Sequence, residues 1–533
     1  MEEGETTPLA EDAVKETDKP ESRSHVSLSS PLQWIKMLAE EMHWSSVMGV
    51  VLVYGISQGV GGGLGRVAID YYWKDVQKVQ PSESQVYQGI TSIPWMVKPL
   101  WGLLTDLVPI GGYRRRPYFM LAGLLGIIPM LILSLHKGLP VFLALLALTA
   151  GSGGVAIADV TIDAVVAQNS ITHPSLASDM QSLCGLSSSI GRLLGFFVSG
   201  QLIHWIGSQG VLGLLSLPAA FVFLVGTVLK EPPTPSLACK EVSYLFLEAG
   251  KKMVKTLRCP SVWRPCIYMY LSLALSVAIH EGMFYWYTDA KEGPKFSQET
   301  VGLIHAIGSV GSLLGVLLYQ SVLKDYSFRS LLFWSQLLYG FSGFLDLALV
   351  MRLNLKVGVP DIFFIVVDES VSQMIGRIKW MPLLVLSSKL CPPGIEGTFF
   401  ALLMSIDNIG LLSSSWGGGL LLHLLKVTRT EFGNLGAAIL IRNLMRILPL
   451  AFLYLVPNTN QNSTLLPSDI LKEDDSAEGR GGDDQVELVS LVNHPGGAEP
   501  EPAAAPPAGD AEGSGGAPYS SDSGFLSFMH WSA

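Results

Sequence analysis

Hydrophobic runs long enough to cross a lipid bilayer recur along the chain between residues 46 and 456. A membrane-spanning helix needs about 20 mostly apolar residues. Only 15% of the 533 residues are charged, whereas soluble domains carry about 25%. The pattern therefore predicts an all-α polytopic membrane protein. Twelve spans are predicted, at residues 46–68, 86–106, 118–135, 139–169, 180–206, 209–230, 263–288, 299–319, 329–351, 361–389, 396–425 and 434–456.

The twelfth predicted span is the weakest, because it contains Arg442 and Arg446, and eleven spans would also fit the pattern. Several other spans are less apolar than a single-pass anchor, as expected when one face of a helix lines a wet cavity. A polar segment at 231–262 separates the sixth span from the seventh and divides the chain into six-helix halves at 46–230 and 263–456. This layout is typical of carriers built from two repeats.

The net charge of −10 belongs to the two ends of the chain. Residues 1–30 contain eight acids and three bases, and residues 457–533 contain thirteen acids and two bases, which leaves +6 for residues 31–456. A positive membrane body favours an anionic substrate. The tails at 1–45 and 457–533 are predicted to be disordered. The C-terminal tail is rich in Gly, Pro, Ala, Ser and acids and offers little apolar surface to bury.

The short loops differ in their content of Lys and Arg. Basic residues are more numerous on the loops that hold Arg114–Arg116 and the 231–262 segment than on the opposite loops. Since the Lys/Arg-rich side of a membrane protein is usually cytoplasmic, we expect both termini in the cytoplasm. The sequon at Asn462 would then be out of reach of the glycosylation machinery, and we expect it to be unmodified.

The cysteines and the N-terminal residues give limited information about disulfides, metal sites and cellular location. The five cysteines are scattered without CxxC spacing, which argues against a disulfide framework and against a metal site. Residues 1–30 lack an apolar run and are acidic, so we expect neither a cleaved signal peptide nor a plastid or mitochondrial transit peptide. The expected address is the plasma membrane, the vacuole or another organelle, with the plastid less favoured.

Small residues repeat every four positions on several predicted spans. At this spacing two helix backbones approach closely in lipid. Two interpretations stay open: the seams are static packing surfaces, or they slide as the protein changes conformation. The repeats comprise Gly55, Gly59, Gly63, Gly191, Gly195, Gly311, Gly315, Gly410, Ser414 and Gly418.

The segment GLLTDLVPIGGYRRRP, at residues 102–117, is the most specific motif in the chain. Asp106 ends the second span, a glycine-containing turn follows, and Arg114, Arg115 and Arg116 precede the third span. A carboxylate at this place pairs readily with guanidinium groups. We therefore predict that these four residues form a cytoplasmic gate whose ion pair breaks on opening.

Three further segments carry a resemblance to a known family. They are PWMVKPLWG from Pro94, ADVTIDAVVAQ from Ala158 and MPLLVLSSKLCPPGIEGTFFALLMSIDNIG from Met381. Together with the 102–117 motif, they make residues 45–456 resemble the folate-biopterin transporter family of the major facilitator superfamily, in its plant-type members. The resemblance implies a major-facilitator-like bundle of about twelve helices and a pteridine substrate such as folate or biopterin.

Charges inside the spans are the candidate site residues, because each costs several kcal/mol unless it is paired or hydrated. Lys98, near Trp95, has two interpretations. It is a structural cation (paired or snorkelling), or it binds a substrate carboxylate. Arg192 lies near the middle of its span, and a guanidinium can hold a carboxylate bidentately. Arg377 and Lys379 face different ways on the tenth span. We predict Lys98, Arg192 and Arg377 as substrate-binding residues, with Trp95 either stacking on a flat heterocycle or packing at the membrane interface.

Three acids are the candidates for a coupling proton. Asp159 and Asp163 lie one helical turn apart, hence on one face, and a proton on either relieves their mutual repulsion. The alternative is that they neutralise Arg192 or the three consecutive arginines. Asp407 lies in the middle of the eleventh span, within SIDNIG, with no evident local partner.

The leading hypothesis is a secondary carrier of folate or related pteridines that works by alternating access and is driven by a proton gradient. The alternatives are a carrier of another organic anion, or a non-transporting sensor or scaffold that uses the acidic C-terminal tail. No nucleophile–base pair and no metal constellation is recognisable at membrane depth. We therefore expect no enzyme, cofactor or metal. The expected partners are a small-molecule substrate (folate or pterin) and the lipid bilayer, without nucleic acid, and the protein is expected to be monomeric.

Overall fold

The computed structural model describes residues 31–233, 247, 250–289, 291–391 and 396–459, and most of this part of the chain is helical. The N-terminal half contains α1 (Pro31–Glu41), α2 (Trp44–Val76), α3 (in three pieces, Pro81–Thr91, Ile93–Met96 and Lys98–Leu107), α4 (Arg116–Leu135), α5 (Val141–Thr172), α6 (Ala177–Leu214) and α7 (Ser216–Val228). The C-terminal half contains α8 (in two pieces, Pro260–Ala274 and His280–Tyr287), α9 (Gln298–Leu318), α10 (Phe328–Val350), α11 (Leu353–Lys356), α12 (Asp361–Lys389), α13 (Glu396–Leu424) and α14 (Leu435–Ile447).

A continuous or broken helix overlaps each of the twelve predicted spans. Within the described residues, eight helices are long and apolar enough to cross a membrane by length and composition, and one of these, Asp179–Val228, covers two predicted spans. That helix is interrupted between the two spans at Gly207, whose φ of 73° suits glycine. The number of crossings, twelve or eleven, stays a prediction.

The N-terminal segment predicted as a disordered tail at residues 1–45 is in part folded. Residues 31–41 form α1, in which Leu38 is fully buried. The Trp34 indole nitrogen donates a 2.8 Å hydrogen bond to Asp179 on α6. This part of the prediction was wrong, because a helix of 11 residues is too short to give a spanning signal, yet it packs against the N-terminal half. Residues 1–30 and 460–533, with the sequon, lie outside the described residues.

The break in α8 positions a part of the candidate site. Val277 has a left-handed φ of 42°, so the helix stops and the next amides need other partners. The Ala278 amide donates to the backbone oxygen of Ser414 on α13 at 3.1 Å and to its hydroxyl at 3.0 Å. Non-helical backbone is tolerated at membrane depth where a neighbouring helix satisfies it. The second piece of α8 is therefore anchored to α13.

The two ends of the bundle differ in how the halves pack. The outer end, named for the predicted orientation, holds the end of α2 and the loop after α13, which contact each other through Arg429 and the Lys74 carbonyl at 2.6 Å. There, one cluster of buried side chains joins both halves, and the rings of Tyr71 and Phe284 meet edge to face at 5.0 Å. At the opposite, inner end each half has its own core, around Phe119 and around Phe399. The cluster at the outer end is thus shared by both halves, whereas each of these two clusters belongs to one half.

Candidate substrate and proton sites between the halves

Lys98 is held in an ion pair with Asp159, which joins α3 to α5. Both side chains are buried. Gln58 on α2 donates a 2.9 Å hydrogen bond to the other oxygen of the Asp159 carboxylate. The Lys98 ammonium also lies 5.0 Å from the centroid of the Trp95 ring. In this conformation Lys98 is therefore a structural cation paired with Asp159, and not a free cation available to a substrate carboxylate.

Asp163 lies one turn further along α5 and accepts a hydrogen bond from the Tyr54 hydroxyl. Tyr54 and Gln58 both belong to a π-helical stretch of α2, Val51–Val60. Such stretches are rare and occur frequently at functional sites. The local widening of α2 thus presents two polar side chains, four residues apart, to the two acids of α5.

Arg192 and Arg377 come from opposite halves, on α6 and α12, and both are half-buried. Their guanidinium groups lie near enough to repel each other electrostatically. Arg377 donates a 3.1 Å hydrogen bond to the Ser312 hydroxyl on α9 and lies 5.4 Å from the centroid of the Trp380 ring. Across the described ranges, no carboxylate lies within ion-pair distance of Arg377. Positive charges from the two halves therefore interact across the boundary between them.

Trp95 connects the two halves through its backbone. Its carbonyl accepts a 3.2 Å hydrogen bond from the Asn408 amide on α13, and its indole nitrogen donates to the Ser152 hydroxyl at 3.2 Å. The residue is 8% exposed, and the Lys98 ammonium covers part of the ring. Trp95 is therefore close to the inter-half surface, with little of its ring free in this conformation.

Asp407 is buried on α13, and neither of its carboxylate oxygens has a hydrogen-bond partner among the described residues. Lys379 on α12 is near enough to attract it electrostatically. The Lys379 ammonium donates a 3.0 Å hydrogen bond to the Ser272 carbonyl and lies 4.5 Å from the centroid of the Tyr339 ring. A buried carboxylate without hydrogen-bond donors is costly to keep charged, which suits a group that takes up and releases a proton.

The predicted gate residues meet, but within one half. Arg115 forms a 2.5 Å ion pair with Asp106 and donates to the Thr105 hydroxyl at 3.0 Å. The backbone amides of Arg114, Arg115 and Arg116 all donate to the Glu231 carboxylate, at 2.7 to 3.1 Å. Glu231, which follows α7, was not among the predicted gate residues, and it caps the start of α4 from outside that helix. These contacts fix the loop between α3 and α4 to the N-terminal half.

The last span holds its two arginines inside the bundle. Arg442 forms a 2.7 Å ion pair with Asp346 on α10. The Arg446 guanidinium lies 4.1 Å from the centroid of the Tyr339 ring. Both arginines are largely buried, so they face protein rather than lipid, and this explains how α14 tolerates them.

The small-residue repeats form seams inside each half. A Cβ on Gly191 of α6 would lie 2.1 Å from the Gly55 carbonyl on α2, and one on Gly311 of α9 would lie 2.2 Å from the Ser370 carbonyl on α12. A close contact between halves involves a glycine outside the predicted repeats: a Cβ on Gly200 would lie 2.2 Å from the Gln298 carbonyl. The sliding interpretation therefore applies best at Gly200, and the predicted repeats fit static packing within each half.

A polar cluster at the outer end was not found by sequence reasoning. Asp70 on α2, Gln88 on α3 and Glu281 on α8 are linked by hydrogen bonds across the two halves. Glu281 lies within the seventh predicted span and Asp70 lies just beyond the end of the first, so a single acid inside a span was the available signal.

Comparison with known proteins identifies the family. A model of the BT1 family matches residues 58–470, which is most of the chain. The chain belongs to the BT1 family. A relative from Arabidopsis thaliana, named "Probable folate-biopterin transporter 2", is 62% identical over 477 residues, which cover 89% of this chain and 96% of the relative. The protein of Synechocystis sp. named "Folate-biopterin transporter" is 33% identical over 432 residues, covering 79% and 83%.

The fold is shared with solved transporters of low sequence identity. The crystal structure of a POT family transporter in complex with 5-aminolevulinic acid matches with a TM-score of 0.58 and 13% identity, over 77% of this chain and 95% of that one. This confirms the predicted major-facilitator-like helical bundle. Membership of the BT1 family also confirms the resemblance stated above and the prediction of a multi-pass membrane transporter rather than an enzyme.

Proposed function

We propose that this BT1 family member is a secondary carrier of folate or related pteridines, including biopterin, that works by alternating access and is coupled to protons. The observation that carries the proposal is that Arg192 and Arg377 come from opposite halves and that their positive charges interact. The names of the Arabidopsis and Synechocystis relatives support the substrate class.

Two guanidinium groups that face each other repel unless an anion lies between them. Folates end in a glutamate whose carboxylates each match a guanidinium in a bidentate pair. An anion bound by both Arg192 and Arg377 would draw the two halves together and so favour closure of the inner end. In this way binding of the substrate is coupled to the conformational change, because the ligand stabilises one state more than the other.

The remaining candidate residues take supporting roles in the proposal. Lys98, with Asp159, sets the position of Trp95 at the wall of the substrate site. Asp163 and Asp407 are the proposed proton carriers, and Asp159 joins them when Lys98 is displaced by substrate. Asp106 and Arg114–Arg116 hold the inner loop in place while the halves rock. The orientation follows from the distribution of Lys and Arg: both termini cytoplasmic, in a monomer of the plasma membrane or an organellar membrane.

The test is uptake of labelled folate and labelled biopterin into cells that lack their own folate uptake. We expect uptake above that of cells with the empty vector, with loss of accumulation when a protonophore is added. Folate uptake should fall strongly in Arg192→Gln and Arg377→Gln. The matched control is Arg264→Gln, because Arg264 is exposed at the start of α8, where its guanidinium lies 5.7 Å from the centroid of the Trp263 ring. A correctly inserted wild-type protein that takes up neither pteridine would overturn the proposal, and uptake of another organic anion would replace it.

A further inference from the structure

The cluster at the outer end, formed by Asp70, Gln88 and Glu281, is here called the acid cluster. The Gln88 amide nitrogen donates a 2.7 Å hydrogen bond to Asp70 and a second hydrogen bond to Glu281. The second Glu281 oxygen accepts a 2.7 Å hydrogen bond from the Ser84 hydroxyl. One amide group thus holds two carboxyl groups, one from each half of the protein.

The two carboxyl groups also lie close to each other, because the same Gln88 amide nitrogen donates to both. A carboxylate has no hydrogen to donate, so a direct hydrogen bond between the two groups can form only when one of them carries a proton. Glu281 is 0% exposed and Asp70 is 2% exposed. Two ionised carboxylates in contact at such burial would repel each other strongly, because the surroundings screen charge poorly.

Positive charge near the acid cluster is insufficient for two carboxylates. Arg66 on α2 lies 3.5 Å from Asp70 and donates to the Gln88 side chain, and it compensates one of the two. From α3 and α13 the cluster meets uncharged groups, among them Ser84, Gln85 and Ser415. Among the described residues, the other titratable groups that interact with it are Tyr71 from α2, Tyr285 from α8 and His305 from α9. His280 precedes Glu281 in the chain, and the Arg429 guanidinium lies 5.8 Å from the centroid of the Tyr285 ring.

The acid cluster lies in the part of the structure where the halves touch. Its neighbours Tyr71 and Phe284 belong to the core that both halves share. Opening the outer end must pull Glu281 away from Asp70 and Gln88, since the first belongs to the C-terminal half and the others to the N-terminal half. The contact between the two carboxyl groups therefore forms only when the outer end is closed.

We propose that Asp70 and Glu281 bind one proton between them and that this shared proton locks the outer end of the carrier. The inference deepens the proposed function, on which it rests, by assigning a proton site to the outer gate. The step adds one proton and nothing else: an O–H bond forms on one carboxyl group as the proton arrives from the outer aqueous phase. Loss of the proton leaves two negative groups in contact, and their repulsion separates the halves.

Gly62 offers a place to read the state of the gate without any substrate. It lies one helical turn before Arg66 on the same face of α2, it is exposed, and a Cβ there would meet no atom within 4 Å. In a chain whose five native cysteines are replaced, Gly62→Cys introduces one thiol on the inner side of the acid cluster. A membrane-impermeant maleimide added outside reaches this thiol only when the outer end opens.

Only the thiolate reacts with maleimide, so each labelling rate is divided by the rate for Gly138→Cys, a thiol in the exposed outer loop after α4. We expect this ratio to be low at low external pH and to rise with external pH, by about tenfold for each pH unit while the protonated pair dominates. In Glu281→Gln, the ratio should be low at every pH, because the Gln amide donates to Asp70 as the protonated acid does. Asp70→Asn should behave in the same way. It provides the same test if Glu281→Gln is poorly inserted into the membrane. The matched control Glu83→Gln changes an exposed acid of the same end and should keep the parent response.

A labelling ratio of the parent that does not depend on external pH would overturn the inference, and so would an unchanged pH response of the ratio in Glu281→Gln and Asp70→Asn. The outcome is separate from that of the proposed function, because labelling requires no transport. A pH-dependent gate in a protein that takes up no pteridine would overturn the substrate assignment and leave the acid cluster as the proton lock.

Discussion

The Lys98 ammonium lies against the Asp159 carboxylate, and this buried ion pair joins α3 to α5 inside the N-terminal half. The pair brings together two residues that the sequence marks separately, one as a substrate-binding cation and the other as a proton carrier. Because each charge neutralises the other, neither is free while the pair is intact. Any role of Asp159 in proton transfer therefore requires that Lys98 first moves.

Replacing Lys98 alone should destabilise the protein. Lys98→Met leaves the Asp159 charge buried without its cation, which costs about 3–5 kcal/mol in such pairs. The double variant Lys98→Met, Asp159→Leu should recover most of this loss, since an apolar pair of similar volume replaces the ions. Thermal unfolding in detergent measures both. Lys36→Met is the control, because its pair with Glu40 is exposed and is worth less than about 1 kcal/mol; an equal loss there would contradict the prediction.

Glu231 should stabilise the start of α4. Glu231→Ala leaves three backbone amides of the 114–116 segment without their acceptor, and loss of a helix cap costs about 1–2 kcal/mol. Glu231→Gln keeps one side-chain oxygen as an acceptor and should lose less. Limited proteolysis within residues 108–115, together with the melting temperature, reports the effect. Equal cleavage of the wild type and Glu231→Ala would show that the cap contributes nothing.

A methyl group at Gly200 should favour opening of the outer end. In Gly200→Ala the new Cβ would lie 2.2 Å from the Gln298 carbonyl of the other half, and overpacking of this kind costs about 1–3 kcal/mol. Since the close contact exists only while the halves touch, the equilibrium should shift towards the outer-open state. Faster labelling at Gly62→Cys, with slower uptake, would be the result. Gly153→Ala is the control, because its Cβ would meet only Pro94 at 3.8 Å.

Asp407 should be needed for proton-driven accumulation and dispensable for exchange. In Asp407→Asn the site can no longer gain or lose a proton, while its volume hardly changes. We expect exchange of external for internal pteridine to persist and accumulation against a gradient to be lost. Asp325→Asn, in the exposed loop after α9, should retain both activities. Full accumulation by Asp407→Asn would remove this residue from the coupling mechanism.

The sequence predicts the helices well because the bilayer imposes a length and an apolar character on each span. The break in α8 was not predicted, since what makes it tolerable is the Ser414 backbone on α13, far away in the chain. Lys98 and Asp159 were both chosen as candidates, yet their partnership depends on how α3 packs against α5. The same holds for Asp70 and Glu281: a pairing across two halves leaves no spacing to recognise.

The shared core at the outer end has a kinetic consequence for the working cycle. To face outwards, the empty carrier must expose side chains such as Tyr71 and Phe284 to water. The described clusters at the inner end each belong to one half and stay packed when that end opens. The substrate-free protein should therefore be mainly inward-facing. Its change from the inward-facing to the outward-facing state should be the slow step of the cycle. Substrate that binds between Arg192 and Arg377 from the inside should accelerate this conformational change. Cells preloaded with pteridine should therefore take up external pteridine faster than empty cells do.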